Sequence, residues 1–248
     1  MRQLDSHSGP GPWVARVESA PAFREVVDHP YLRKFEQGEL PPGHVAQTWL
    51  VQQAWLSRSF GHCMASLLGK LGAYPNVNGL DALSDVVHEE IWRQSGRGGH
   101  HSLFVGMAAA LDPQTDCANL PPAQPCTIAF IEQRQQAIER SSPAFALGLL
   151  IANEHLNADL QGERGIMVSY AKGLARMQDD PNASAYAEEH VEEERHDVAL
   201  MCGISEQILK QNSEDPDFQS EFVMEFDRGA SFICDRRVEF FDGLMQLS

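Results

Sequence analysis

The chain lacks any apolar run long enough to span a bilayer, which excludes a membrane-spanning helix. No apolar stretch follows "MRQLDSHSGPGPW", so no secretory signal is expected. Cysteine is sparse: Cys63, Cys117, Cys126, Cys202 and Cys234 are scattered, odd in number and free of any C-x-x-C pair. A disulfide framework is therefore not expected, and a reduced, cytoplasmic setting is. Cys117 and Cys126 flank a proline-rich loop and are read as two thiols rather than a bridge. Basic residues are few as well. Nineteen Lys and Arg stand against 35 Asp and Glu, a formal net charge of −16, and they form no basic face. Nucleic acid is thus an unsuitable partner. No segment alternates polar and apolar residues as a strand does, and no internal repeat or low-complexity tract is present.

What is present is helical periodicity. With 43% hydrophobic residues in 248, the chain can bury one large core. Residues 1–19 read as a flexible arm and 20–248 as a single all-α domain, a compact bundle of about seven to nine helices. Helical patterning starts at Pro21, with Pro30 as an interruption or kink. A long helix covers "PPGHVAQTWLVQQAWLSRSFGHCMASLLGKLG", where Trp49, Trp55, Phe60, Met64 and Leu67 recur at helical spacing. Another covers about 78–93, the break "SGRGG" follows, and a new helix opens near His100. After the loop "DPQTDCANLPPAQP", helices are expected over about 123–139, 143–160, 163–177, 182–211 and 216–245. Asp180 and Pro181 suit the start of the helix at 182.

Several of these helices carry charge where the pattern points inward. In "AYAEEHVEEERHDVALMCGI" one stripe runs Tyr186, His190, Glu194, Asp197, Met201, Ile204. Its ends are apolar and its middle is His, Glu, Asp. A neighbouring stripe runs Glu189, Glu193, His196, Leu200 and contains Glu193-x-x-His196, a spacing by which helical bundles hold paired metal ions. The first stripe is favoured for its longer apolar flanks; a plain outer charged face is the alternative. In "LSDVVHEEIW", Leu83, Val87 and Glu90 share a face, whereas Glu89 follows Val86. His100 and His101 open the next helix. In "FALGLLIANEHLNADL", Leu147, Leu150 and Glu154 form an inward stripe, and His155 points about 100° round the helix. Burying such groups alone would cost several kcal/mol each. A cation would offset that cost. Glu90, His100, Glu154, His190, Glu194 and Asp197 form a mixed N and O donor set, with His196, Glu193 and His101 as alternates. It suits iron or manganese better than zinc.

"HPYLRKFEQGELPPGHVAQTWLVQQAWL" resembles the opening helices of the haem-oxygenase-like superfamily, which includes TenA-type thiaminases and PQQ synthase. "HEEIWRQSGRGGHHSLF" resembles its helix, glycine-rich turn and H-x-x-L-F helix start, and "YAEEHVEEERHDVAL" its late H-x-x-x-D/E-x-x-H helix. The resemblance covers about residues 21–245 and is nearest to the diiron oxidases and oxygenases. It implies Glu90 and His100 as the first ligand pair, Glu154 as the middle acid, and His190 with Glu194 as the late pair. At the last position the family has His and this chain has Asp197, with His196 one residue early. Either Asp197 ligates or a π-bulge turns His196 inward; a one-metal or vestigial site is a third option. The resemblance implies two Fe(II) ions per chain (or Mn), O2 as co-substrate, an external electron donor and a small-molecule substrate, in a cytoplasmic protein that is a possible homodimer. The activity implied is N-oxygenation of an amine in specialised biosynthesis. Desaturation or oxidative C–C cleavage of an amino or fatty acid, a metal-free TenA-type hydrolase, and a non-enzymatic metal- or small-molecule-binding bundle are the alternatives. "LLIANEH" has Glu154 where TenA enzymes have a nucleophilic Cys, and His29, beside Pro30, reads as a surface residue rather than a haem ligand. Trp55, Phe60, Tyr186 and Met201 are candidates to line the substrate pocket, and Arg195 is expected in a surface salt bridge.

Overall fold

Proline marks where helices begin. Pro30, Pro125, Pro143 and Pro216 each occupy the first helical turn, where the missing N–H costs nothing. Three of the residues before them cap the helix. Ser142 Oγ accepts from the Phe145 amide at 3.2 Å, and Asp215 Oδ1 from the Phe218 amide at 3.0 Å. His29 Nδ1 accepts from the Tyr31 amide at 3.2 Å. Pro30 interrupts the segment, one of the two expected outcomes: α2 ends at Val27 and Pro30 opens α3, while His29 is buried at its start, not on the surface.

The computed structural model describes residues 11–41, 44–94, 107–108, 111, 121–159, 163–177 and 182–247. Its helices are α1 (Gly11–Glu18), α2 (Phe23–Val27), α3 (Pro30–Glu36), α4 (Val51–Leu71), α5 (Leu80–Gln94), α6 (Pro125–Arg140), α7 (Pro143–Asn157), α8 (Ile166–Met177), α9 (Asn182–Gln211) and α10 (Pro216–Met245). A π-helical stretch, Val45–Leu50, leads into α4. Among the described residues there is no strand, and no helix is long and apolar enough to cross a membrane. The class is all-α, as the periodicity implies. Residues 11–18 of the expected arm are instead helical and packed: α1 buries Trp13, Val14 and Val17, and the Trp13 ring lies 4.5 Å from that of Phe226. Residues 1–10, and the Asp180–Pro181 start, lie outside the described residues.

Helix α7 is the hub. Every residue from Ala146 to Asn157 is buried, so the helix is covered all round rather than on one face. Its broadest packing is against α10, with α9 on another side and α1, α4, α6 and α8 around it. The α7–α10 crossing depends on two glycines. A methyl at Gly148 would collide with the Phe226 carbonyl, and one at Gly229 with the Phe145 carbonyl. Outside this hub, α8 and α9 pair, α4 packs on α5 and α6, and Phe35, Trp49 and Tyr170 form an aromatic cluster.

Candidate metal and substrate site

The C-terminal turns of α7 break its apolar run with Asn153, Glu154, His155 and Asn157, all at most 5% exposed. His155 faces away from the others, pairing with Glu18 at 3.1 Å and stacking on Phe23, which ties α1 and α2 to the hub. Asn153, Glu154 and Asn157 open into a cavity of about 40 Å³, enough for two or three water-sized groups. Helix α9 contributes His190, Glu193, Glu194 and Asp197 to the same cavity, and α4 contributes Gln53, Leu56, Ser57 and Phe60. Arg134 of α6 and Arg237 of α10 complete its lining.

Hydrogen bonds fix the acids in place. Asn153 Nδ2 donates to Glu154 Oε1 at 2.9 Å, and Asn157 Nδ2 to Glu194 Oε1 at 3.1 Å. Arg237 in turn donates to Asn153 Oδ1 at 2.9 Å, so guanidinium, amide and carboxylate form a chain. His190 Nδ1 lies 3.4 Å from Glu194 Oε1, one turn along α9. The Tyr186 ring stands edge-on to the His190 imidazole at 4.3 Å, and the Tyr186 and Ser57 hydroxyls share a hydrogen bond at 3.1 Å. Asn157 Oδ1 is buried with no hydrogen-bond partner.

The cationic side is equally buried. Arg134 is 1% and Arg237 4% exposed. Arg134 donates to Ser59 Oγ at 2.6 Å, and both guanidinium groups lie over the Phe130 ring, at 5.3 and 4.6 Å. Burial first, and then the neighbouring Arg134, bring the Arg237 pKa down to about 10, against the opposing pull of Tyr170 and Glu154. It stays charged at neutral pH. Four carboxylates thus face two guanidinium groups across the cavity.

Of the expected ligands, Glu154, His190, Glu194 and Asp197 share this cavity, and so does the alternate Glu193. His196 is exposed, and α9 is α-helical throughout, with no π-bulge to turn it inward. The local geometry places Asp197 at the cavity in its stead. The π-helical stretch of this chain lies instead before α4. The backbone of Glu90 lies on α5 in register with Leu83 and Val87, which are buried, and α5 packs on α4 and α9. The Glu90 side chain, His100 and His101 lie outside the described residues. Among the described residues, no group of three or more His, Cys, Asp or Glu side chains is drawn together closely enough to hold an ion.

Other expectations divide. Phe60 lines the cavity and Tyr186 supports His190. Met201 is buried in the core, and Trp55 turns to the Pro121 carbonyl. Arg195 pairs with Glu192 at the surface. Cys126 is a free thiol, and Cys117 lies outside the described residues. The site residues absent from the sequence reading are Arg134, Arg237, Asn153 and Asn157. A signal existed for the arginines. Arg134 interrupts the buried stripe Thr127, Phe130, Ile138, and Arg237 the stripe Ala230, Ile233, Phe241, Leu244.

No family model matches the chain, and no curated protein matches it in sequence. Solved structures do match in fold. A TenA homolog from Pseudomonas syringae pv. tomato superposes with a TM-score of 0.65 at 18% identity, covering 95% of this chain and 93% of that one. A TenA homologue from P. horikoshii gives 0.65 at 11% identity, covering 95% and 99%. A domain with a heme oxygenase-like fold from Shewanella denitrificans gives 0.54 at 14% identity, covering 95% and 88%. The chain has the fold that these TenA homologues share with the heme oxygenase-like protein.

Proposed function

We propose that this chain is an O2-dependent non-haem diiron oxidase or oxygenase acting on a small metabolite. One observation carries the reading: Glu154, a wholly buried acid in the most apolar helix, shares a cavity with His190, Glu193, Glu194 and Asp197 of α9. A core site with four carboxylates and one imidazole is costly unless cations neutralise it. The donor set fits a first-row divalent ion, being oxygen-rich with imidazole and without thiolate. The unpartnered Asn157 Oδ1 fits a cavity that takes up further groups. Glu154, His190, Glu194 and Asp197 would hold the metal, with Glu90 and His100 completing the set.

Two Fe(II) ions bound there would supply reductive activation of O2, with electrons from an external donor. The protein's own share is orientation and exclusion of water. Asn153 holds one Glu154 oxygen and thereby fixes which lone pairs face the cavity; Asn157 does the same for Glu194. Tyr186 sets the tilt of the His190 ring. Leu56 and Phe60 give the cavity apolar lining. Of the oxidations open to such a site we assign N-oxygenation of an amine, because the acid-rich wall favours approach of a basic nitrogen. One oxygen atom of O2 enters an N–H bond, and the other leaves as water with two donor electrons and two protons.

The printed descriptions of the fold relatives as TenA homologues favour a second reading, a metal-free hydrolase. That chemistry needs an activated thiol. Among the described residues no cysteine lines the cavity, and burial raises the Cys63 thiol and brings those of Cys202 and Cys234 to about 12, which keeps them protonated and inert. Metal content and gas uptake separate the readings. The purified chain should bind about two irons and consume O2 on addition of Fe(II) and reductant, and Glu154→Ala should lose both while keeping its helical content. Turnover of a substrate in the presence of chelator would favour the hydrolase. Iron uptake with no O2 consumption across amine and acid substrates would favour a storage protein.

A further inference from the structure

We infer that Arg134 and Arg237 form an anion-binding subsite at the back of the cavity, which takes the carboxylate of the substrate. The inference rests on the metal-dependent reading above and gives its substrate a chemical class: a small organic carboxylate. Arginine is rarely buried unless paired, yet these two are 1% and 4% exposed. Their hydrogen-bond acceptors are all neutral: the Ser59 hydroxyl, the Leu56 carbonyl and the Cys63 thiol for Arg134, and the Asn153 amide oxygen for Arg237. Among the described residues neither makes an ion pair, and the Nε–H of each is buried without an acceptor. Both line the cavity.

The two cations also destabilise each other. They share the face of Phe130, and the Arg134 charge is among the influences lowering the Arg237 pKa. The anion acting on Arg237 is Glu154. Once Glu154, Glu194 and Asp197 are committed to metal, Glu193 is the one carboxylate lining the described cavity that is left against two guanidinium charges. A carboxylate entering from outside restores the balance, and a planar guanidinium matches it geometrically. Leu56 and Phe60 line the same cavity and offer apolar surface to the carbon chain.

Calorimetric titration of propionate, n-propylamine and n-propanol tests this, on the metal-free chain and after anaerobic Fe(II) loading. Propionate should bind the iron-loaded form at least about tenfold more tightly than n-propanol and more tightly than it binds the metal-free chain, while n-propylamine reports separately on the acidic wall. Arg134→Met and Arg237→Met should each weaken propionate about tenfold or more per iron bound, and Arg237→Lys should weaken it less. Equal binding of propionate and n-propanol by the unaltered chain would overturn the subsite, whether or not the variants fold. So would propionate affinity that neither substitution changes, which would place the carboxylate elsewhere, on the iron for example. Failure of the chain to take up iron would remove the proposed oxidase activity, but propionate binding to the metal-free chain would still be read.

Discussion

At the scale of the residue, the proposed function turns on Glu154 and Asp197. Glu154 follows the apolar run Ala146–Ala152 and is buried, with Asn153 of its own helix donating to it and the cavity before it. Asp197 stands where the resembling family has His, and it lines the cavity while His196 faces solvent. Asp197→Ala should therefore lower iron stoichiometry, and His196→Ala should leave it unchanged, as elemental analysis will report. His29 gives a pH dependence. Burial holds its pKa below the ordinary value of 6.5 despite Asp242 at 3.3 Å, and its neutral Nδ1 caps α3. Above that value the folded and unfolded chains are both neutral there, and the cap is intact. Below it the unfolded chain takes up a proton that the folded chain resists, so stability falls as pH drops. His44, also lowered by burial, acts in the same direction. Melting temperature should fall between pH 7.5 and 5, and His29→Asn, which keeps a cap, should reduce the slope. The inward acids were legible in sequence because carboxylates on an apolar stripe stand out. Arg134 and Arg237 sit on equally apolar stripes, but a long basic side chain is by default assigned to the surface, its stem packing while its head reaches water. Here the heads stay inside, against Phe130.

At the scale of the element, α7 does most of the positioning. Its crossing with α10 brings Arg237 against Asn153, and Asn153 against Glu154. The close approach depends on Gly148 and Gly229, each facing a backbone carbonyl of the other helix. Gly148→Ala or Gly229→Ala should push the helices apart at a cost of about 1–3 kcal/mol or more. For a chain of this size that lowers the melting temperature by at least several degrees, measurable by circular dichroism. If the helices hold the site as described, both variants should also weaken metal uptake. Helix limits were easiest to read where a capping residue precedes proline: α10 runs Pro216–Met245, as the periodicity predicts. The α7 helix stops at Asn157, before the expected 160. At Pro30 the sequence leaves interruption and kink open, because the two look alike until the His29 capping hydrogen bond is known; the segment is interrupted there. The π-helical entry to α4 has no signature in residue type, since its side chains continue the same apolar spacing.

At the scale of the whole molecule, helices distant in sequence are brought around one small acidic cavity. Residue 134 meets 237, and 57 meets 186 and 190, only because α7 is wrapped on every side. The architecture is that of TenA homologues and a heme oxygenase-like protein at 11–18% identity. Conserved shape at such distance says little of chemistry, which the cavity residues must supply. The most direct measurement is anomalous diffraction from a crystal soaked anaerobically with Fe(II). The account predicts iron peaks between Glu154 and the His190, Glu194 and Asp197 side chains, with Glu90 and His100 joining the coordination. A saturated crystal with no iron in this cavity, its carboxylates satisfied by Arg134 and Arg237 alone, would contradict it.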